Sequence, residues 1–135
     1  MQTKALKSAG LKTTLPRTKI LKLFEENHKR HLSADEIYKF LNDNGEDIAM
    51  ATVYRVLTQF EDAGLIIRHN FENDHAIFEL NEGSHHDHLV CSKCGNVEEF
   101  IDELIEARQR TIADNAGFQM TDHSLNIYGL CRECR

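Results

Sequence analysis

Proline occurs once in the 135 residues, at Pro16, and no stretch reads as an internal repeat or a low-complexity linker. No apolar run approaches the ~18 residues that a membrane span requires, and no signal peptide opens the chain, so a cytoplasmic protein is expected. H-E-x-x-H, G-x-S-x-G and the phosphate-binding loop are all missing. With them go common routes to metallohydrolase, serine-hydrolase and nucleotide chemistry. All four cysteines fall in two C-x-x-C pairs, Cys91 with Cys94 and Cys131 with Cys134, so none stands apart as a nucleophile. An enzyme is not expected. What remains, 41% hydrophobic and 28% charged, is the composition of an ordinary soluble globular protein.

The net charge of −6 hides an asymmetry. Residues 1–30 sum to +6, residues 31–81 to −7 and residues 82–135 to −5. A basic first segment on an acidic body argues against general polyanion binding and for one localised basic contact surface.

Pro16 stands where proline is favoured, at a helix start, and Ile20, Leu21, Leu23 and Phe24 follow at helical spacing. Ser33-Ala-Asp-Glu36 is a capping box that opens a helix with the stripe Ile37, Phe40 and Leu41, closed by Gly45. In A-T-V-Y-R-V-L-T-Q-F-E-D-A-G-L, Val53, Val56, Leu57 and Phe60 form a third helical stripe, ending at Gly64. The period then shortens. Leu65–Phe71 and His75–Leu80, joined by a polar turn at Glu72–Asp74, read as a β-hairpin. Three helices and a hairpin are the order of a winged helix-turn-helix. The fold class expected is therefore α+β. A winged-helix domain would occupy residues 1–81, a hinge would lie at about 81–84, and a small α/β domain would fill residues 82–135. That second domain reads as strand 89–91, a turn at Cys94-Gly95, strand 97–100, helix 102–116 stopped by Gly117, strand 119–128 and a cysteine tail.

Two C-x-x-C pairs in a chain without signs of secretion read as a tetrahedral zinc site rather than as disulfides. Just before the first pair runs H-H-D-H, residues 85–88. On an extended backbone His86 and His88 share one face while His85 and Asp87 share the other. Two separate metal sites are implied, each needing partners from elsewhere; His31, Glu79, Glu106 and His123 are the candidates. Imidazole with carboxylate suits Fe²⁺, Mn²⁺, Co²⁺ or Zn²⁺. His28, His69 and His75 read as solvated surface histidines.

The polar face of the third helix, Thr52, Tyr54, Arg55, Thr58 and Gln59, is nearly neutral and rich in hydrogen-bonding groups, which suits a major groove. Lys4, Lys7, Lys12, Arg17, Lys19 and Lys22, with no acid before Glu25, supply phosphate-contacting charge. Double-stranded DNA is the expected partner.

The chain resembles the ferric uptake regulators, metal-dependent repressors of bacteria. A-G-L-K-T-T-L-P-R, H-L-S-A-D-E-I-Y, A-T-V-Y-R-V-L-T-Q-F-E-D-A-G, R-H-N-F, H-H-D-H-L-V-C-S-K-C-G, I-E-A-R-Q-R and H-S-L-N-I-Y-G carry the likeness, in the same order and over nearly the whole chain. The resemblance implies an N-terminal DNA-binding domain, a C-terminal dimerisation domain, and repression of iron-uptake genes when Fe²⁺ is plentiful. It implies structural zinc on Cys91, Cys94, Cys131 and Cys134. It implies a hinge-bridging regulatory site for Fe²⁺, with Mn²⁺, Co²⁺ or Zn²⁺ as substitutes, on His31, Glu79, His86 and His88, and an additional site on His85, Asp87, Glu106 and His123. Lys12, Arg17, Thr52, Tyr54 and Arg55 become the DNA-binding residues, on a palindromic operator, with a homodimer expected and a tetramer left open. The second cysteine pair is more closely spaced than in some relatives, and no histidine-rich tail follows. Sister families sensing zinc, manganese, nickel or peroxide share the scaffold and remain the alternative. Peroxide sensors carry aspartate where this chain has glutamate, at Glu79 or Glu106, which favours iron.

Overall fold

In the computed structural model residues 2–27, 31–71, 76–82 and 85–135 are described, and they divide into two compact units, Met1–Gly83 and Ser84–Arg135. The first unit starts with helix α1 (Gln2–Ser8) and helix α2 (Leu15–Glu26), which has Pro16 in its first turn. Helix α3 (Ala34–Asp43) opens on the expected capping box: the Glu36 amide donates to the Ser33 hydroxyl and the Ser33 amide to the Glu36 carboxylate, both at 3.1 Å. Two of the otherwise orphaned donors of the first turn are thereby satisfied. Helix α4 (Met50–Asp62) buries Val53, Val56, Leu57 and Phe60, the stripe that its periodicity defines. Gly64 follows at φ +79°, a left-handed turn that glycine adopts without strain, and it releases the chain into the sheet.

That sheet has the order β1-β3-β2, with β1 Leu32–Ser33, β2 Ile66–Asn70 and β3 Ala76–Leu80, all pairs antiparallel. Leu6, Ile20, Phe24, Ile37, Phe60 and Phe78 fill the space between helices and sheet. The unit is a winged helix-turn-helix: α3 and α4 form the helix pair, and β2 with β3 forms the wing. Asn81 belongs with it, since its amide donates to the Leu65 carbonyl at 2.9 Å and its side chain to the Gly64 carbonyl at 3.1 Å.

The second unit carries a sheet of order β5-β4-β6, built from β4 (Asp87–Cys91), β5 (Val97–Phe100) and β6 (Asn126–Gly129). β4 runs antiparallel to β5 and parallel to β6. Helix α5 (Glu103–Asn115) connects β5 to β6 and is capped by Asp102, whose carboxylate accepts from the amides of Leu104 and Ile105 at 2.9 and 3.2 Å. Among the described residues, only Val90 and Cys91 are buried apolar side chains of this unit. α5 buries none of its residues, and Leu104, Ile112 and the following Phe118 are exposed. So are Leu89 and Ile127, register partners on neighbouring strands. A unit with so little core leaves much apolar surface in search of a cover.

Four features differ from the sequence reading. α1 is an extra helix, buried through Leu6, and β1 is an extra strand. Phe40 lies about 90° round the helix from the centre of the Ala34–Ile37–Leu41 stripe, by 3.6-residue geometry, and is exposed rather than core. The strand expected over 119–128 is confined to Asn126–Gly129, where it has β4 to pair with. The turn at Glu72–Asp74, His28, His75 and the hinge residues Gly83 and Ser84 lie outside the described residues.

Candidate metal centres and nucleic-acid interface

Parallel pairing of β4 with β6 sets Cys91 opposite Gly129, and the amide of Ser92 donates to the Gly129 carbonyl at 2.8 Å. The second C-x-x-C therefore starts two residues beyond the end of β6, beside the first. Gly95, at φ +81°, closes the first knuckle. The sulfurs of Cys91, Cys94, Cys131 and Cys134 all lie within 4.8 Å of one another, with Cys94 Sγ 3.7 Å from Cys131 Sγ, and all four are free thiols.

The electrostatics of this cluster are lopsided. The amides of Cys94 and Cys131 both donate to Cys91 Sγ at 3.4 Å, and these two bonds, against opposing burial, lower the Cys91 thiol to about 5. Cys94 is drawn down by the Asn96 amide, but Cys91, burial and Cys131 together raise it above the ordinary value. Cys134 is pushed up to about 12 by its hydrogen bond with Cys131 and by burial. The Cys91 thiolate is ready at neutral pH, whereas Cys94 and Cys134 are held protonated unless a cation joins them. The donor set fits a tetrahedral thiophilic dication such as zinc. Zinc added to the reduced, metal-free protein near neutral pH is accordingly expected to displace the protons of at least Cys94 and Cys134, and to bind more weakly as the pH falls. Calorimetry in buffers of different ionisation enthalpy counts those protons. Release of less than one proton per zinc would mean that the thiols do not bind it together.

A second cluster also lies wholly within this unit. Asp87, on β4, is fully buried, and neither carboxylate oxygen has a hydrogen-bond partner among the described residues. Around it stand His85 Nε2, 3.3 Å from Asp87 Oδ1, and His123 Nε2 at 3.6 Å. Glu106, in the first turn of α5, lies 3.3 Å from His85 and 3.2 Å from His123. The four ligand atoms fall within 4.8 Å of one another. A buried carboxylate without hydrogen bonds is costly unless a cation compensates it, and two imidazoles with two carboxylates suit a borderline metal.

His86 and His88 face the other way, as strand alternation requires, with ring centroids 4.9 Å apart. Glu99, the register partner of His88 on β5, reaches to 3.4 Å from His86 Nε2. The sequence reading passed over Glu99, whose only signal is its position opposite His88 in a hairpin. In the first unit His31, just ahead of β1, and Glu79, on β3, are both buried and lie 3.2 Å apart, Nε2 to Oε2. His69, taken from sequence as a solvated histidine, is instead half-buried on β2 and hydrogen-bonded to Glu79 Oε1.

The outer face of α4 is as expected: Tyr54, Arg55 and Thr58 are exposed and Thr52 and Gln59 half-buried. Lys4, Lys7 and Lys12 are exposed as well. Arg17 is engaged inside the unit, donating to Gln59 Oε1 at 3.0 and 3.2 Å and to the Lys12 carbonyl at 2.9 Å. It thereby ties the segment carrying Lys12 to the face of α4. Lys19 pairs with Glu46, so it adds less free charge than its sequence position suggests.

Comparison with known proteins places these geometries in context. The sequence model of the ferric uptake regulator family matches residues 8–128. The ferric uptake regulation protein of Legionella pneumophila is 61% identical over 134 residues, covering 99% of this chain and 98% of that protein. Among solved structures, the ferric uptake regulator of Vibrio cholerae superposes with a TM-score of 0.91 at 54% identity, covering 97% of this chain and all of that one. The ferric uptake regulator of Francisella tularensis, determined with iron, gives 0.88 at 49% identity, covering 93% of this chain and 95% of that one. Likeness of this extent, over both units and in the order of elements, makes the chain a member of the ferric uptake regulator family.

Proposed function

We propose that this chain is a homodimeric, iron-responsive transcriptional repressor, switched on when Fe²⁺ joins His31 and Glu79 of the first unit to His86 and His88 of the second. Family membership supports the repressor, and the relative determined with iron supports Fe²⁺ as the signal. Mn²⁺, Co²⁺ or Zn²⁺ would serve as substitutes. The observation that supports the switch is that each unit brings two ligand-type side chains together. The His31–Glu79 pair is buried in one and the His86–His88 pair is set side by side in the other. A metal binding both pairs favours one arrangement of the units, so metal and operator affinities rise together by reciprocal coupling. The cysteine cluster would hold zinc for stability, the Asp87 cluster a further metal within its own unit. The uncovered α5 and the exposed Leu89 and Ile127 support a second copy as the covering partner. Two copies put two α4 helices on successive major grooves of a palindromic operator.

On the DNA side, Arg55→Ala and Lys12→Ala are each expected to weaken Fe²⁺-dependent operator binding while metal content and dimerisation stay intact. Each loss of a phosphate contact should also flatten the salt dependence by about one unit of logarithmic slope. Anaerobic fluorescence anisotropy with and without Fe²⁺, across salt, checks both. Wild-type affinity indifferent to removal of the labile metal would reject the switch; unchanged affinity in both variants would reject the DNA surface.

A further inference from the structure

Of His28, His69 and His75, which read from sequence as solvated, His69 alone lies among the described residues, and its setting is not that of a surface histidine. It sits on β2 two residues beyond Ile67, the register partner of Glu79, so its side chain lies diagonally across the strand pair from the glutamate. Its Nε2 bonds to Glu79 Oε1, while Glu79 Oε2 lies 3.2 Å from His31. The imidazole is itself held flat against Phe71, with ring centroids 5.7 Å apart and planes parallel. The carboxylate of Glu79 is thus divided, one oxygen taken by an anchored donor and the other turned towards His31. A buried carboxylate with both oxygens free would bind a cation through both, or swing between the two modes.

We propose that His69 is a positioning residue that makes Glu79 a one-oxygen ligand, fixing the coordination number and so the affinity of the regulatory metal; this rests on the sensor reading given above. The imidazole Nε2–H donates to Oε1, which keeps Oε1 off the metal and aims Oε2 at it. His69 touches no metal itself. Partners of this kind, bonded to a ligand rather than to the ion, alter metal affinity by about 10- to 100-fold when removed.

Two substitutions separate the hydrogen bond from the packing. His69→Phe keeps a ring to stack on Phe71 and removes the donor; His69→Gln keeps an N–H donor and removes the ring. The test uses the full-length zinc-loaded protein carrying His85→Ala and His123→Ala, so that added Co²⁺ reports one site through its visible ligand-field bands. Thermal unfolding of each variant verifies the fold. The expected result is that His69→Phe binds Co²⁺ about 10- to 100-fold more weakly, with fainter bands as the second oxygen raises the coordination number. His69→Gln should return both towards the parent. If His69→Phe matches the parent, or loses affinity with unchanged bands, or if Gln fails where Phe succeeds, the positioning role is wrong. Glu79→Ala in the same background keeps the two ideas apart. If it binds Co²⁺ as the parent does, the sensor reading itself fails, whatever His69 does.

Discussion

Cys91→Ser is expected to lose one tightly held zinc and, with it, the dimer. Cys91 ends β4, is one of two buried apolar side chains among the described residues of its unit, and receives the amides of Cys94 and Cys131. The substitution removes the ready thiolate and leaves those two amides facing a weaker acceptor. Structural zinc in small domains contributes about 10–16 kcal/mol of apparent binding free energy that is also folding free energy. A unit whose helix α5 buries nothing, and whose buried apolar side chains among the described residues are Val90 and Cys91, has little core with which to replace it. The surface that a second copy would cover, α5 with Leu89 and Ile127, hangs on that same unit. Zinc content by elemental analysis and mass by light scattering on a sizing column check the outcome. A variant that stays zinc-loaded and dimeric would falsify the structural role.

His86→Ala is expected to abolish metal-stimulated operator binding while leaving the cysteine-bound zinc and the dimer untouched. Removing one of the two imidazoles of the His86–His88 pair leaves the second unit half its contribution to the regulatory metal, so an ion would no longer favour one arrangement of the units. Couplings of this kind are typically about 1–3 kcal/mol, a 5- to 150-fold effect on DNA affinity, and the variant should forfeit all of it. His123→Ala should do less, because His85, Asp87, Glu106 and His123 all belong to one unit and a metal there links nothing beyond it. Operator affinity measured anaerobically with and without Fe²⁺, for wild type and both variants, decides the matter. A His86→Ala protein that responds like wild type sinks the linking mechanism.

The division of His86 and His88 from His85 and Asp87 was readable from H-H-D-H alone, since strand alternation sends neighbours to opposite faces whatever the rest of the chain does. The capping box at Ser33 and the stripe from Val53 to Phe60 were equally plain, because local geometry dictates both. Contacts made at a distance were hidden. β1 is two residues long and exists only because β3 offers an edge; α1, of seven residues, is too short to display a period and is held by burial of Leu6. His69 and Glu99 carry no mark in sequence, because what distinguishes each is the strand opposite: Glu79 across from His69's face, His88 across from Glu99. The ligand-type side chains gathered in H-H-D-H and the two C-x-x-C pairs stand out in sequence; His69 and Glu99, each defined by a neighbour on another strand, do not.

The parallel pairing of β4 with β6 has a kinetic side. Cys91 and Cys131 are 40 residues apart, and parallel neighbours cannot be joined by a tight turn, so α5 must form the return path between them. Closing a loop of that length carries an entropic penalty of about 3 kcal/mol before any strand contact rewards it, which makes this the slow, late pairing of the unit. An ion captured first by Cys91 and Cys94, and then by the arriving Cys131 and Cys134, would tether the two ends while the chain between them is still searching. On that view zinc supply governs how quickly a newly made chain matures, and a cell short of zinc would accumulate unfinished regulator even with iron in abundance.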